Sequence, residues 1–171
     1  MNLNDYLRDV PDFPKPGIMF KDIAPLLANH AAMTYCIDQM AEMVAGLEIQ
    51  CVAGIESRGF LFGTPLALKL GLGFTPIRKP GKLPAATTKY EYELEYGTDT
   101  LEIHNDGVAD GDKVLIVDDV LATGGTAQAA CNLVEMVGGE VAGCAFLLEL
   151  EFLKGRGKLA GRNVLSLLQD A

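Results

Sequence analysis

The chain contains no tryptophan, two histidines and four cysteines in 171 residues. His30 and His104 have no partner at metal-ligand spacing, so both read as ordinary surface or packing residues rather than as a metal centre. Cys36, Cys51, Cys131 and Cys144 stand far apart among apolar neighbours and form no Cys-x-x-Cys pair. That pattern argues against a zinc ribbon or a disulfide scaffold and for reduced, buried thiols. Positive charge is also scarce: 14 Lys and Arg against 23 Asp and Glu give a net charge of −9. Such a surface opposes nonspecific nucleic-acid binding, which requires phosphates to be neutralised, but it allows a small anionic ligand on a local cationic patch. No apolar run approaches membrane length. The first twenty residues mix Asp5, Arg8, Asp9, Asp12 and Lys15 with three prolines, unlike an apolar or Arg-rich leader. A soluble, cytoplasmic protein is therefore expected, with neither nucleic acid nor membrane as partner.

What is present is an ordinary globular composition, 49% hydrophobic and 22% charged, enough for a single domain over residues 1–171. Met33, Ile37, Met40, Ala41 and Val44 recur at helical spacing. CVAGI then reads as a buried strand, FLFGTPLALKL as a helix despite Pro65, and FTPIR as a second strand. The order repeats: VLIV is a strand, AQAACNLVEMV a helix closed by Gly138 and Gly139, and VAGCAFLLE a strand. Strand, helix, strand twice over implies the α/β class, a doubly wound, mainly parallel sheet with flanking helices. Between the two units, Tyr90, Tyr92, Leu94 and Tyr96 alternate with Lys89, Glu91, Glu93 and Glu95, and Gly97 to Asp99 supply a turn before Leu101 and Ile103 resume the alternation. This predicts an inserted two-stranded arm.

Ligands of open parallel sheets bind beyond the carboxyl ends of the strands. Three loops qualify: ESRG after Ile55, RKPGKLP after Ile77 and DDVLATGGT after Val117, the last read here as the final residue of its strand. The third is the most informative. Asp118 and Asp119 repel one another unless something bridges them, and a vicinal diol does so by donating to both carboxylates. Gly124 and Gly125 can gather backbone N–H groups into an anion nest at a helix start, with Thr123 and Thr126 adding hydroxyls. A ribose 5-phosphate fits both halves. Other phosphate motifs fit badly: GIESRGF has Walker spacing but Phe60 in place of the lysine, and GLGFTP lacks a third glycine.

VLIVDDVLATGGT resembles the phosphoribosyl pyrophosphate signature of the type I phosphoribosyltransferases. DFPKPGIMFKDIAPLL, ESRGFLFG, IRKPGKLP, YELEYGTDTLEI and ELEFLKGRGKL extend the resemblance to the adenine-specific branch over nearly the whole chain. It implies transfer of the 5-phosphoribosyl group from phosphoribosyl pyrophosphate to adenine, giving AMP and diphosphate. Asp118 and Asp119 would contact the ribose hydroxyls, and Ala122, Thr123, Gly124, Gly125 and Thr126 the 5-phosphate. Ser57, Arg58 and Gly59 would meet the diphosphate, joined by the basic loop of Arg78, Lys79 and Lys82. Phe20 and Val120 would sandwich the base while main-chain groups around Met19 and Lys21 read its edge; many relatives carry arginine in place of Lys21. Alternation places Glu91, Glu93 and Glu95 on one face and does not choose among them; the resemblance chooses Glu95 as the catalytic carboxylate beside Tyr96, with Arg58 as the catalytic cation. It further implies an N-terminal hood (1–28), a flexible arm over the site (84–104), Mg²⁺ held mainly through the sugar diphosphate and water, and a homodimer.

Overall fold

A computed structural model describes residues 1–94 and 96–171. The N-terminal segment forms a small cap. Strands β1 (Arg8–Val10) and β2 (Phe20–Asp22) pair antiparallel, with Val10 opposite Phe20. Arg8 fastens them by donating to Asp22 through Nε at 3.0 Å and Nη2 at 2.8 Å. Helix α1 (Ala24–Ala28) begins with Pro25 in its first turn, where no intrahelical N–H is needed. Asn29 ends it and caps α2 (His30–Val44), accepting the Ala32 N–H at 3.0 Å. The buried stripe of α2 is Ala32, Cys36, Ile37, Met40 and Val44; Met33 and Ala41 flank it half-buried.

Strand β3 (Cys51–Ile55), helix α3 (Arg58–Leu70) and strand β4 (Gly73–Ile77) form the first crossover unit. In place of a second helix come β5 (Thr87–Glu93) and β6 (Thr98–His104), paired antiparallel with Tyr92 opposite Asp99. The chain continues through β7 (Lys113–Leu121), α4 (Gly125–Met136), β8 (Glu140–Leu150) and β9 (Val164–Asp170). The main sheet has the order β4-β3-β7-β8-β9 with every pair parallel. Among the described residues no helix is long and apolar enough to cross a membrane.

Alternation along β7 builds a core on each face of this sheet. Val114 and Ile116 pack with α4, whereas Leu115 and Val117 pack with α2 and α3. All four are fully buried, each contributing about 1.5–3 kcal/mol of apolar burial. Two expectations are corrected here. β7 runs on to Leu121 because Asp118, Val120 and Leu121 keep their pairing with β8, so the two aspartates are strand residues rather than loop residues. The arm's turn closes at Gly97, whose carbonyl accepts the Leu94 N–H at 2.9 Å, and Asp99 already lies in β6. Within the arm, Tyr92, Leu101 and Ile103 are buried in the core that holds α4.

Candidate active site

The strand order places a switch point between β3 and β7: β3 leads through α3 to its neighbour on one side, and β7 through α4 to its neighbour on the other. The loops leaving these strands diverge to opposite faces and open a crevice between them. A cleft of about 340 Å³ lies there. Arg58, Asp118, Asp119, Ala122, Thr123, Gly124 and Thr126 line one part, and Met19, Phe20, Lys21 and Val120 the other. Ile18, Leu121, Ala127, Leu148 and Leu150 complete the wall. These five were missed as site residues. Leu148 and Leu150 carried a usable signal, since they end a parallel strand on the ligand edge.

The acids are held by their strand. Asp119 is 3% exposed, and its Oδ2 lies 2.9 Å from Arg58 Nε yet has no hydrogen-bond partner among the described residues. Asp118 Oδ1 accepts the Asp119 N–H at 2.9 Å. Burial drives the Asp118 carboxyl well above its ordinary range, and the neighbouring Asp119 charge drives it further. Burial also raises Asp119, with the Arg58 guanidinium pulling the other way. A buried carboxylate oxygen that has a counter-charge but no donor is an acceptor suited to a ligand hydroxyl.

Two helix starts flank this pair. Gly124, at φ +85°, caps α4. A side chain there would collide with the Gly155 carbonyl as well as strain the backbone. Thr126 Oγ1 lies 3.3 Å from the Tyr92 hydroxyl, which ties the start of α4 to the arm. On the other side Ser57 precedes α3, and Gly59 lets its first turn approach β7: a β-carbon there would stand 2.7 Å from the Val117 carbonyl oxygen. The first N–H groups of both helices have no intrahelical acceptor, and their dipoles favour an anion.

The apolar end is built from the cap. Phe20 meets Phe13 edge to face at 5.1 Å, and the Arg58 guanidinium lies 5.6 Å from its ring centre. Arg58 thus links the aromatic wall to the acids. The Lys21 ammonium pairs with Asp9 at 2.8 Å and Asp170 at 3.4 Å, and the Asp9 contact raises its pKa. With its side chain so committed, what Lys21 offers the cleft is main chain.

The basic loop does not join this cleft. Glu56, whose side chain is 8% exposed, gathers it instead, accepting from Arg78 Nε at 3.1 Å, from the Lys79 N–H at 2.9 Å and from the Lys82 ammonium. The Lys79 ammonium pairs with Asp99. Burial tends to raise both carboxyls, but their bound donors outweigh it and hold them below their ordinary values. Tyr96 stands outside the cleft at 81% exposure, with Lys15 Nζ 5.7 Å from its ring centre. Glu95 lies outside the described residues.

The geometry has close counterparts. Residues 21–163 match the model of the phosphoribosyl transferase domain. The chain is 57% identical over 169 residues, 99% of each protein, to an adenine phosphoribosyltransferase of Maridesulfovibrio salexigens. Its structure is similar to a crystal structure of adenine phosphoribosyltransferase from Thermoanaerobacter pseudethanolicus, with TM-score 0.96, 54% identity, and 99% and 100% of the two chains covered. It is also similar to the Saccharomyces cerevisiae enzyme complexed with an imino-altritol bisphosphate and adenine, with TM-score 0.91, 44% identity, and 97% and 96% covered. The chain belongs to the adenine phosphoribosyltransferases of the phosphoribosyltransferase family.

Proposed function

We propose that this chain transfers the 5-phosphoribosyl group from phosphoribosyl pyrophosphate to adenine, forming AMP and diphosphate. The observation that carries this reading is the buried Asp119 oxygen without a donor, in the same cleft as the α4 phosphate loop and the Phe20 wall. One site thereby offers acceptors for sugar hydroxyls, donors for a phosphate, and an apolar slot for a flat base. The complex of the yeast relative with adenine and a bisphosphate supports it.

In the reaction a base nitrogen bonds to the anomeric carbon as the bond from that carbon to the diphosphate oxygen breaks. Asp118 and Asp119 orient the ribose through its hydroxyls. The N–H groups of residues 123–126 hold the 5-phosphate. Arg58, whose Nε lies 2.9 Å from Asp119, presents its guanidinium to the diphosphate, where negative charge grows. Phe20 and Val120 sandwich the base, and the main chain near Met19 and Lys21 reads its edge. Glu95 takes the proton that the base nitrogen loses. Residues 1–28 serve as a hood, and residues 84–104 as an arm that excludes water, with Tyr96 at its tip.

Mg²⁺ fits this donor set as an ion that arrives with the substrate. No group of three metal-ligating side chains exists among the described residues, while Asp118 and Asp119 present hard oxygens of the kind that meet Mg²⁺ directly or through water. When bound, the ion neutralises the departing diphosphate. Arg78 and Lys82 add positive charge near the ESRG loop through their hold on Glu56, and Lys79 joins them there through its main-chain N–H while its ammonium pairs with Asp99. By the same family reading, the working form is a cytoplasmic homodimer. With adenine, phosphoribosyl pyrophosphate and Mg²⁺, chromatography is expected to show AMP and diphosphate in equal amounts. A chelator should reduce the rate by about 10²-fold or more, in line with the loss of a charge-stabilising ion. No AMP at saturating substrates would overturn the proposal.

A further inference from the structure

The short segment Gly155–Leu159 after β8 holds a group that the reaction above leaves unused. It is fastened to the phosphate loop by backbone contact. A side chain on Gly124 would strike the Gly155 carbonyl, and one on Gly155 would strike the Ala122 carbonyl. Leu159 is fully buried in the core that holds α4, which anchors the far end. Between these anchors Lys158 reaches the first turn of α4: its Nζ lies 3.5 Å from the position a Gly125 β-carbon would occupy.

Charge accounting gives this placement meaning. Three neighbouring cations are committed, Arg58 to Asp119, Lys21 to Asp9 and Asp170, and Arg156 to Glu149. No ion-pair partner of Lys158 occurs among the described residues. A phosphate monoester brings nearly two negative charges, whereas a nest of N–H groups offers dipoles and no full positive charge. The donor-less Asp119 oxygen independently marks the cleft as one that takes a ligand. We infer that Lys158 is the counter-cation of the substrate's 5-phosphate, a binding residue supplied by the segment behind the phosphate loop. This rests on the phosphoribosyl reading of the cleft.

Calorimetric titration of wild type, Lys158→Met and Lys158→Arg with AMP, with ribose 5-phosphate and with Mg²⁺-diphosphate tests it. Lys158→Met is expected to weaken AMP and ribose 5-phosphate by about tenfold, less at high salt because the lysine is exposed, and to leave diphosphate within about twofold. Lys158→Arg should keep most of the affinity. In turnover, KM for phosphoribosyl pyrophosphate should rise with kcat nearly constant, the mark of a contact equal in ground and transition states. Unchanged AMP affinity in Lys158→Met, or an equal loss for diphosphate, overturns the assignment. Wild type that binds neither AMP nor ribose 5-phosphate would instead remove the phosphoribosyl reading, and this assignment with it.

Discussion

Asp118 and Asp119 cost the fold something to keep ionised. A carboxyl whose pKa is higher in the folded than in the unfolded chain binds protons more readily when folded. Its ionisation therefore opposes folding above the raised value, and the opposition disappears below the ordinary value of 3.8. Asp118→Asn removes this cost and keeps an acceptor for the Asp119 N–H. At neutral pH its Tm should exceed that of wild type by about 2–4 °C, corresponding to roughly 1 kcal/mol in a chain of this size. The gain should shrink toward acid pH, while kcat/KM falls by about 10²-fold because the sugar loses a charged acceptor. A variant less stable than wild type at pH 7 would contradict the electrostatic account. The pairing of acids was visible in the sequence because both sit in one short stretch. The pairing of Glu56 with Arg78 and Lys82 was not, since charges more than twenty residues apart reveal their partners only after folding.

At the scale of elements, the proposed phosphate site depends on three pieces meeting: the end of β7, the start of α4 and the segment after β8. Gly124 is where they touch. Gly124→Ala would place a β-carbon at φ +85° and against the Gly155 carbonyl. The left-handed conformation costs about 1–2 kcal/mol and overpacking about 1–3 kcal/mol. The thermal midpoint should fall by roughly 5–15 °C, and AMP binding should weaken, because the loop must move away from Gly155. A variant with wild-type Tm and AMP affinity would show that the contact is not formed in solution. Periodicity made the helices and inner strands legible: CVAGI and VLIV are buried on both faces and read as unbroken apolar runs. It ended β7 too early, because polar Asp118 and Asp119 interrupt the run while the strand's pairing with β8 continues. β9 escaped notice for a related reason. It lies at the sheet edge with nearly every residue half-buried, so it shows neither alternation nor a continuous apolar run.

For the whole molecule, the strand order brings distant sequence segments to one crevice. On the proposed reading, a chain with net charge −9 would hold an anionic substrate there through dipoles and a few placed cations rather than through overall attraction. The cap from β1 and β2 contributes Phe20 and its neighbours to the crevice wall; in the proposed reading the choice of base falls to their backbone groups, which would suit a donor amino group beside an acceptor nitrogen. A 6-oxopurine reverses that pattern and would leave buried polar groups unpaired. The most direct measurement is the initial rate of nucleotide formation from phosphoribosyl pyrophosphate and Mg²⁺ with adenine, hypoxanthine, guanine, xanthine, uracil and orotate offered separately. The expected result is AMP from adenine and a kcat/KM lower by about 10⁴-fold for every other base, as mismatched hydrogen-bonding sites impose. Comparable turnover of hypoxanthine or guanine would contradict the reading of the cap and cleft as an adenine site.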